Sequence, residues 1–260
     1  MRQRLTNIAI SGLAFIGLIL VWYLVTKIMG IATYILPPPG AVLESLRVGF
    51  IDVWKDGSPL ARYGYYAPTL STLQSTVFGF IYGAVAGLIL GIALSESRIL
   101  ERIMLPYASA FQAVPKIALA PLFIIWFGFG DFSHQMMAAT LVAFPLLITS
   151  LNALHSIDEE RLELARSYGA NRWVVSLLIK LPSALPEIIT GLELGVVYAL
   201  LGAIAAELVA GSDGIGARLM AQQTNNDTAG MFAMLIVSGA IGAVLHFAIR
   251  AVRKRFVFWT

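Results

Sequence analysis

Residues 68–94 run for 27 positions without one Asp, Glu, Lys or Arg. About 20 apolar residues in a helix cross a ~30 Å hydrocarbon core, so this run is long enough to span a bilayer. Hydrocarbon offers no water to satisfy backbone N–H and C=O groups, which leaves the helix as the spanning form for a single segment. Further apolar runs at 8–29, 103–127, 133–153, 184–210 and 231–250 obey the same constraint. The chain is 58% hydrophobic and 13% charged, against roughly 45–50% and 25% in a soluble domain. The expected fold class is an all-α membrane protein with six transmembrane helices in a single domain, residues 1–260.

The basic residues orient it. With the N-terminus inside, Arg2, Arg4, Arg98, Arg102, Arg161, Arg166, Arg172, Lys180, Arg250, Arg253, Lys254 and Arg255 fall on the inner side. Only Arg47, Lys55, Arg62 and Arg218 fall outside, and Lys27 and Lys116 lie in or at the edge of spans. That asymmetry puts both termini in the cytoplasm. It also explains the +3 net charge without nucleic acid as a partner. Met1-Arg2-Gln3-Arg4 ahead of an apolar run resembles a signal peptide, but the run to Met29 is too long and lacks a small-residue cleavage site. Cysteine is absent, which excludes disulfides and thiolate metal sites. His134, His155 and His246 show no ligand spacing and are read as loop or interface residues, with no metal.

Two spans carry small residues every fourth position: Gly79, Gly83, Gly87 and Gly91 in the second, and Gly191, Gly195, Ala199 and Ala203 in the fifth. Such spacing lines one helix face with a groove that another backbone can approach. The longest outer connection contains 36-LPPPG-40, expected to be non-helical, then 41-AVLESLRVGF-50, expected to be a short amphipathic helix near the membrane surface. That helix would serve either as a docking surface for an outside partner or as a structural cuff.

One stretch breaks the apolar pattern. Residues 158-DEERLELARSYGANR-172 hold seven of the 33 charges in the chain. Ser156 and Glu159 have capping-box spacing, and Asp158, Glu159 and Glu160 sit where a helix dipole favours anions. Leu162, Ala165 and Gly169 share a face, Gly169 suits a helix stop, and a second short helix from Asn171 is expected to end at Pro182. The loop 156–182 is thus read as a cytoplasmic helix–turn–helix whose small-residue patch serves docking rather than solvation.

Glu163-Leu164-Ala165, three residues, Gly169, nine residues, then Ile179-Lys180-Leu181-Pro182 resembles the EAA motif of ABC-importer permeases, with Leu164 in place of the middle alanine. The segments 114-VPKIALAPLFIIWFGFGD-131, 181-LPSALPEIITGL-192 and 206-AELVAGSDGIG-216 are similar to permeases of the aliphatic-sulfonate, taurine and nitrate group, whose relatives carry thiamine-pyrimidine precursors and aromatic carboxylates. The resemblance implies a type I ABC-importer permease in the bacterial inner membrane. Its partners would be a second copy of itself, two ABC ATPase subunits, a periplasmic or lipid-anchored solute-binding protein and membrane lipid. Glu163, Leu164, Ala165, Gly169, Ala170, Arg172, Ile179, Leu181 and Pro182 would then form the ATPase-coupling site. The chain has no Gly-Lys dipeptide and hence no phosphate loop of the Walker type. It is expected to be no enzyme and to hold no cofactor, with ATP and magnesium on the partner ATPase.

Ionisable groups inside a bilayer cost roughly 2.5–3.5 kcal/mol each on insertion scales and need a reason. Lys116 follows Pro115, where the third span is expected to break and line a cavity. Lys116 and Glu193 are read either as translocation-path residues, the lysine attracting an anionic solute, or as a buried pair fixing helix register. Glu207 is expected to make a structural or gating pair, and Tyr198 to line the path. Many relatives carry Arg or Lys at the position of Glu193, a departure that bears on substrate preference. Glu187 is read as a solvated residue near the inner interface, and Trp126 as an interfacial anchor. A membrane enzyme would need clustered catalytic groups and an ion-coupled carrier would show internal symmetry; neither is visible in the sequence.

Overall fold

A computed structural model describes residues 2–51, 64–210 and 213–256. The helices are α1 (Arg2–Ile28), α2 (Pro39–Phe50), α3 (Tyr66–Ser95), α4 (Arg98–Ala113), α5 (Ala120–Phe127), α6 (Asp131–His155), α7 (Glu159–Ser167), α8 (Arg172–Val175), α9 (Leu181–Ala210), α10 (Gly214–Thr224) and α11 (Thr228–Phe256). A 3₁₀ turn, Lys116–Leu119, precedes α5, and one turn of π-helix, Ser176–Lys180, joins α8 to α9. Among the described residues, four helices are long and apolar enough to cross a membrane: α3, α6, the continuous Trp173–Val209 and Thr228–Arg255 of α11. The expected third span is not one straight helix. Pro115 denies the ladder a donor, and α4 and the following Lys116–Phe127 meet at 93°. In α1 the apolar part is the shorter Gly12–Ile28. The count reaches six only with the bent pair taken as one span and this stretch as another.

Contacts divide the chain into two compact units, Met1–Thr69 with Arg218–Val237, and Leu70–Ala217 with Ser238–Thr260. In the first, Tyr65 is the hub. Its hydroxyl meets Ser45 Oγ at 2.7 Å and accepts from Gln222 Nε2 at 3.0 Å, its N–H donates to Gly49 O at 2.9 Å, and Phe50 stands edge-on to its ring at 5.6 Å. Gly49 is required there, because a Cβ would collide with the Tyr65 ring. The α2 helix starts two residues earlier than the sequence suggests: Pro39 occupies its first turn, where a missing N–H costs nothing. Trp22 Nε1 donates to Pro37 O at 3.1 Å and so ties α1 to the proline run.

The second unit is organised around α6. The α3 glycines seat directly on its backbone: a Cβ at Gly79 would lie 2.8 Å from Gln135 O, one at Gly87 2.6 Å from Ala143 O, and one at Gly91 3.0 Å from Leu147 O. On the α9 side, a Cβ at Gly191 would press on Leu146 and Thr149, and one at Gly202 would lie 2.7 Å from Ala138 Cα. Ala199 and Ala203 are fully buried with Ala138, Val142 and Leu146. The four-residue spacing thus encodes close helix contact, as expected. Gly87→Ala should destabilise the protein by about 1–3 kcal/mol, the usual cost of overpacking, measurable as a lowered thermal midpoint in detergent. An unchanged midpoint would mean that α3 and α6 are not in contact at this level.

Candidate functional site

The loop 156–182 is built by identifiable caps. Asp158, not Ser156, caps α7: Glu160 N–H donates to Asp158 Oδ1 at 3.4 Å, while Ser156 Oγ turns back to Ala153 O at 3.0 Å and closes α6. The expected capping box is therefore not formed, because Ser156 is spent on the preceding helix. At the other end Gly169 has φ +81°. Its N–H donates to Arg166 O at 2.9 Å and that of Ala170 to Ala165 O at 3.1 Å, the paired bonds of a Schellman stop. Asn171 Oδ1 accepts from Val174 N–H at 2.9 Å and starts α8. Pro182 does not end this second helix. The π turn places Leu181 N–H on Ser176 O, and Leu181 and Pro182 open α9 at its first turn, where proline is tolerated.

The α7 helix has two faces. Glu159, Leu162, Arg166 and Ala170 line a cavity of about 700 Å³ behind the loop. Across that cavity Lys180 Nζ meets Glu96 Oε1 at 3.2 Å, Ser176 Oγ donates to the same oxygen at 2.9 Å, and His155 Nδ1 lies 3.6 Å from Glu101 Oε1. The expected small-residue patch is thus split: Leu162 and Ala165 are half-buried toward their own chain, and Gly169 is exposed. Glu163 and Leu164 are exposed and are not among the residues that line that cavity. With them stand Tyr168 and Trp173, 86% and 76% exposed, which sequence reasoning passed over. Large apolar side chains within so charged a stretch were the signal, since contiguous exposed apolar surface marks a contact site. Ile179 is half-buried on the π turn. The side chain of Arg172, like Lys55 and Arg62 of the outer charge tally, lies outside the described residues.

The structure separates the intramembrane charges. Lys116 is not paired with Glu193: it is half-buried at the helix break, and its Nζ donates to Gln112 O at 3.0 Å. Glu193 lies 3.6 Å from Arg253 on α11, a partner sixty residues away in sequence that no local pattern announces. Tyr198 is partly exposed on α9, and Glu187 is exposed. Trp126 is exposed too.

Glu207 is fully buried. Its Oε2 accepts from Thr72 Oγ1 at 2.8 Å and from Gly216 N–H at 2.9 Å, and Thr72 Oγ1 in turn accepts from Ile215 N–H at 2.8 Å. Gly214, with φ +98°, and Gly216 are needed because a Cβ at either would strike Glu207. The carboxylate thereby fastens the start of α10 to α3 and α9. Glu207→Ala strands these buried donors and should cost about 2–3 kcal/mol, whereas Glu207→Gln, which keeps one acceptor oxygen, should cost less than about 1 kcal/mol. Thermal midpoints of the two variants check this, and equal losses would refute the hydrogen-bond account. His134 corrects another expectation. It is fully buried on α6 rather than in a loop or interface, because the first turns of α6 already lie between α3 and α9.

Comparison with known proteins agrees with this geometry. Residues 83–258 match the family described as binding-protein-dependent transport system inner membrane component. The chain is 35% identical to the riboflavin transport system permease protein RibX of Chloroflexus aurantiacus, over 93% of this chain and 87% of that one. It is 30% identical to the taurine transport system permease protein TauC of Escherichia coli, over 99% and 91%. Among solved structures, an inward-facing MetNI methionine ABC transporter chain matches with a TM-score of 0.66 at 20% identity, covering 77% of this chain and 99% of that one. With its broken third span, its helix–turn–helix loop and two thirds of its length within the family's bounds, the chain belongs to the binding-protein-dependent inner-membrane transport components, and it is a multi-pass permease subunit of an ABC importer rather than an enzyme.

Proposed function

We propose that this permease moves a small organic or inorganic anion of the sulfonate, taurine or nitrate kind inward by alternating access, as a homodimer with two ATPase subunits and an external solute-binding protein. Lys116 carries the anion reading: a half-buried lysine with no carboxylate partner among the described residues, at a helix break in an importer subunit. The loop 156–182 faces the cytoplasm together with both termini, and the outward face of α7 with Gly169 seats in the ATPase. ATP and magnesium act on that partner. Binding protein and nucleotide drive the cycle by their differential affinity for the inward- and outward-facing states. Tyr198, Glu193 and Glu207 belong to the path or its gating.

A second reading, an aromatic carboxylate or a thiamine-pyrimidine precursor, is favoured by the exposed ring of Tyr198 and by the likeness to a riboflavin permease. Gentle purification from the native membrane tests both. The expected result is an equimolar ATPase bearing a phosphate loop, together with a binding protein whose own ligand is an anion. An uncharged heterocycle in that binding protein would overturn the anion reading. A chain that comes out alone, with no ATPase cross-linked near Glu163, would overturn the coupling site.

A further inference from the structure

The last turns of α11 hold Arg250, Arg253, Lys254 and Arg255, and residues 228–260 contain no acid at all. The 22 residues from Thr228 to Ile249 are free of formal charge and rise about 33 Å as a helix, so Arg250 falls where the hydrocarbon core gives way to headgroups. Arg250 and Lys254, four apart, share a face and are exposed, as is Arg255. Among the described residues none of these three has an acidic partner, and only Arg253 turns inward, to Glu193 at 3.6 Å. Topology alone requires basic residues somewhere in this tail; it does not require three of them to be exposed and one to neutralise a nearly buried carboxylate on α9.

We propose that Arg250, Lys254 and Arg255 form a binding site for the phosphate groups of anionic phospholipids, and that a bound headgroup holds the end of α11 so that Arg253 stays on Glu193. Three cations at headgroup depth, with no carboxylate to neutralise them, match a phosphodiester in sign and in hydrogen-bonding capacity. Near an anionic membrane surface each such side chain strengthens association by roughly fivefold. The helix C-terminus, with its unpaired carbonyls, attracts the same cations more weakly and is screened by salt. By this linkage the lipid acts on a helix of the transport core through the Arg253–Glu193 pair.

The test uses the full-length chain in nanodiscs of phosphatidylcholine and phosphatidylglycerol at a known ratio, with retained lipids counted by native mass spectrometry. The wild type should retain phosphatidylglycerol several-fold above its bulk share. R250Q/K254Q/R255Q should fall to the bulk ratio, R250K/R255K should restore the enrichment, and R253Q should leave it nearly unchanged. In discs of phosphatidylcholine alone, amide exchange over residues 250–256 should quicken. Retention at the bulk ratio in the wild type, or unchanged enrichment in the triple glutamine variant, overturns the site. Excess inorganic phosphate that displaces the lipid and slows exchange as well as it does would reassign the site to a free oxyanion. Exchange rates indifferent to lipid would remove the link to Arg253.

Discussion

Gly169→Val should cut solute uptake at least about thirtyfold, the scale of losing an interface hot spot, while the chain still folds and inserts. The geometry separates the two effects. A Cβ at Gly169 meets nothing within 4 Å in this chain, so the folded permease has room for a side chain. The φ of +81° charges an L-residue about 1–2 kcal/mol, a local strain confined to an exposed loop. A branched side chain at the Schellman stop both shifts the angle between α7 and α8 and intrudes on whatever seats against the outward face. Asparagine tolerates the left-handed region, so Gly169→Asn should keep roughly a tenth or more of the uptake. Uptake into proteoliposomes and the amount of ATPase co-purified with each variant give the answer. Normal transport by the valine variant would remove the loop from the coupling role.

Lys116→Met should lower uptake of an anionic solute by about tenfold or more, the effect of losing roughly 1.4 kcal/mol of charge attraction, with ATPase docking unchanged. Methionine matches the lysine stem in volume and leaves Gln112 O, the present acceptor, accessible to water at an exposed position. Lys116→Arg should retain most of the activity. Loss of folding in the methionine variant would assign Lys116 to structure, and undiminished transport would take it off the path. Because Glu193 is held by Arg253 instead, Glu193→Gln should not reproduce the phenotype.

These contrasts show where the sequence was legible. Glycines at 79, 83, 87 and 91 announced a backbone-to-backbone contact because nothing else explains a missing Cβ at every fourth residue of a span. Pro115 announced a break and Gly169 a stop, since proline and glycine act through their own backbone. Partners distant in sequence stayed hidden. Glu193 could be recognised as a buried charge, but Arg253 could not be named as its counter-ion. The burial of His134 depends on two helices that meet around it. Ser156 was read as the cap of α7, but the closing turn of α6 takes its hydroxyl and Asp158, read only as a first-turn anion, caps instead. Tyr65, the hub of the first unit, looked like one tyrosine among nine.

Helices joined through missing Cβ atoms have almost no play. A carbon added at Gly79, Gly87 or Gly91 would lie only 2.6–3.0 Å from α6 carbonyl oxygens, one at Gly83 would collide with Ala139 O, and α9 is set closely against the other side. Sliding by an ångström or two would drive side chains into backbone, and packed interfaces of this kind deform in jumps rather than continuously. The three helices therefore travel as a rigid body. Displacement during a transport cycle must be taken up where the chain already departs from regular helix: at the 93° bend before α5 and at the π turn that carries α8 into α9.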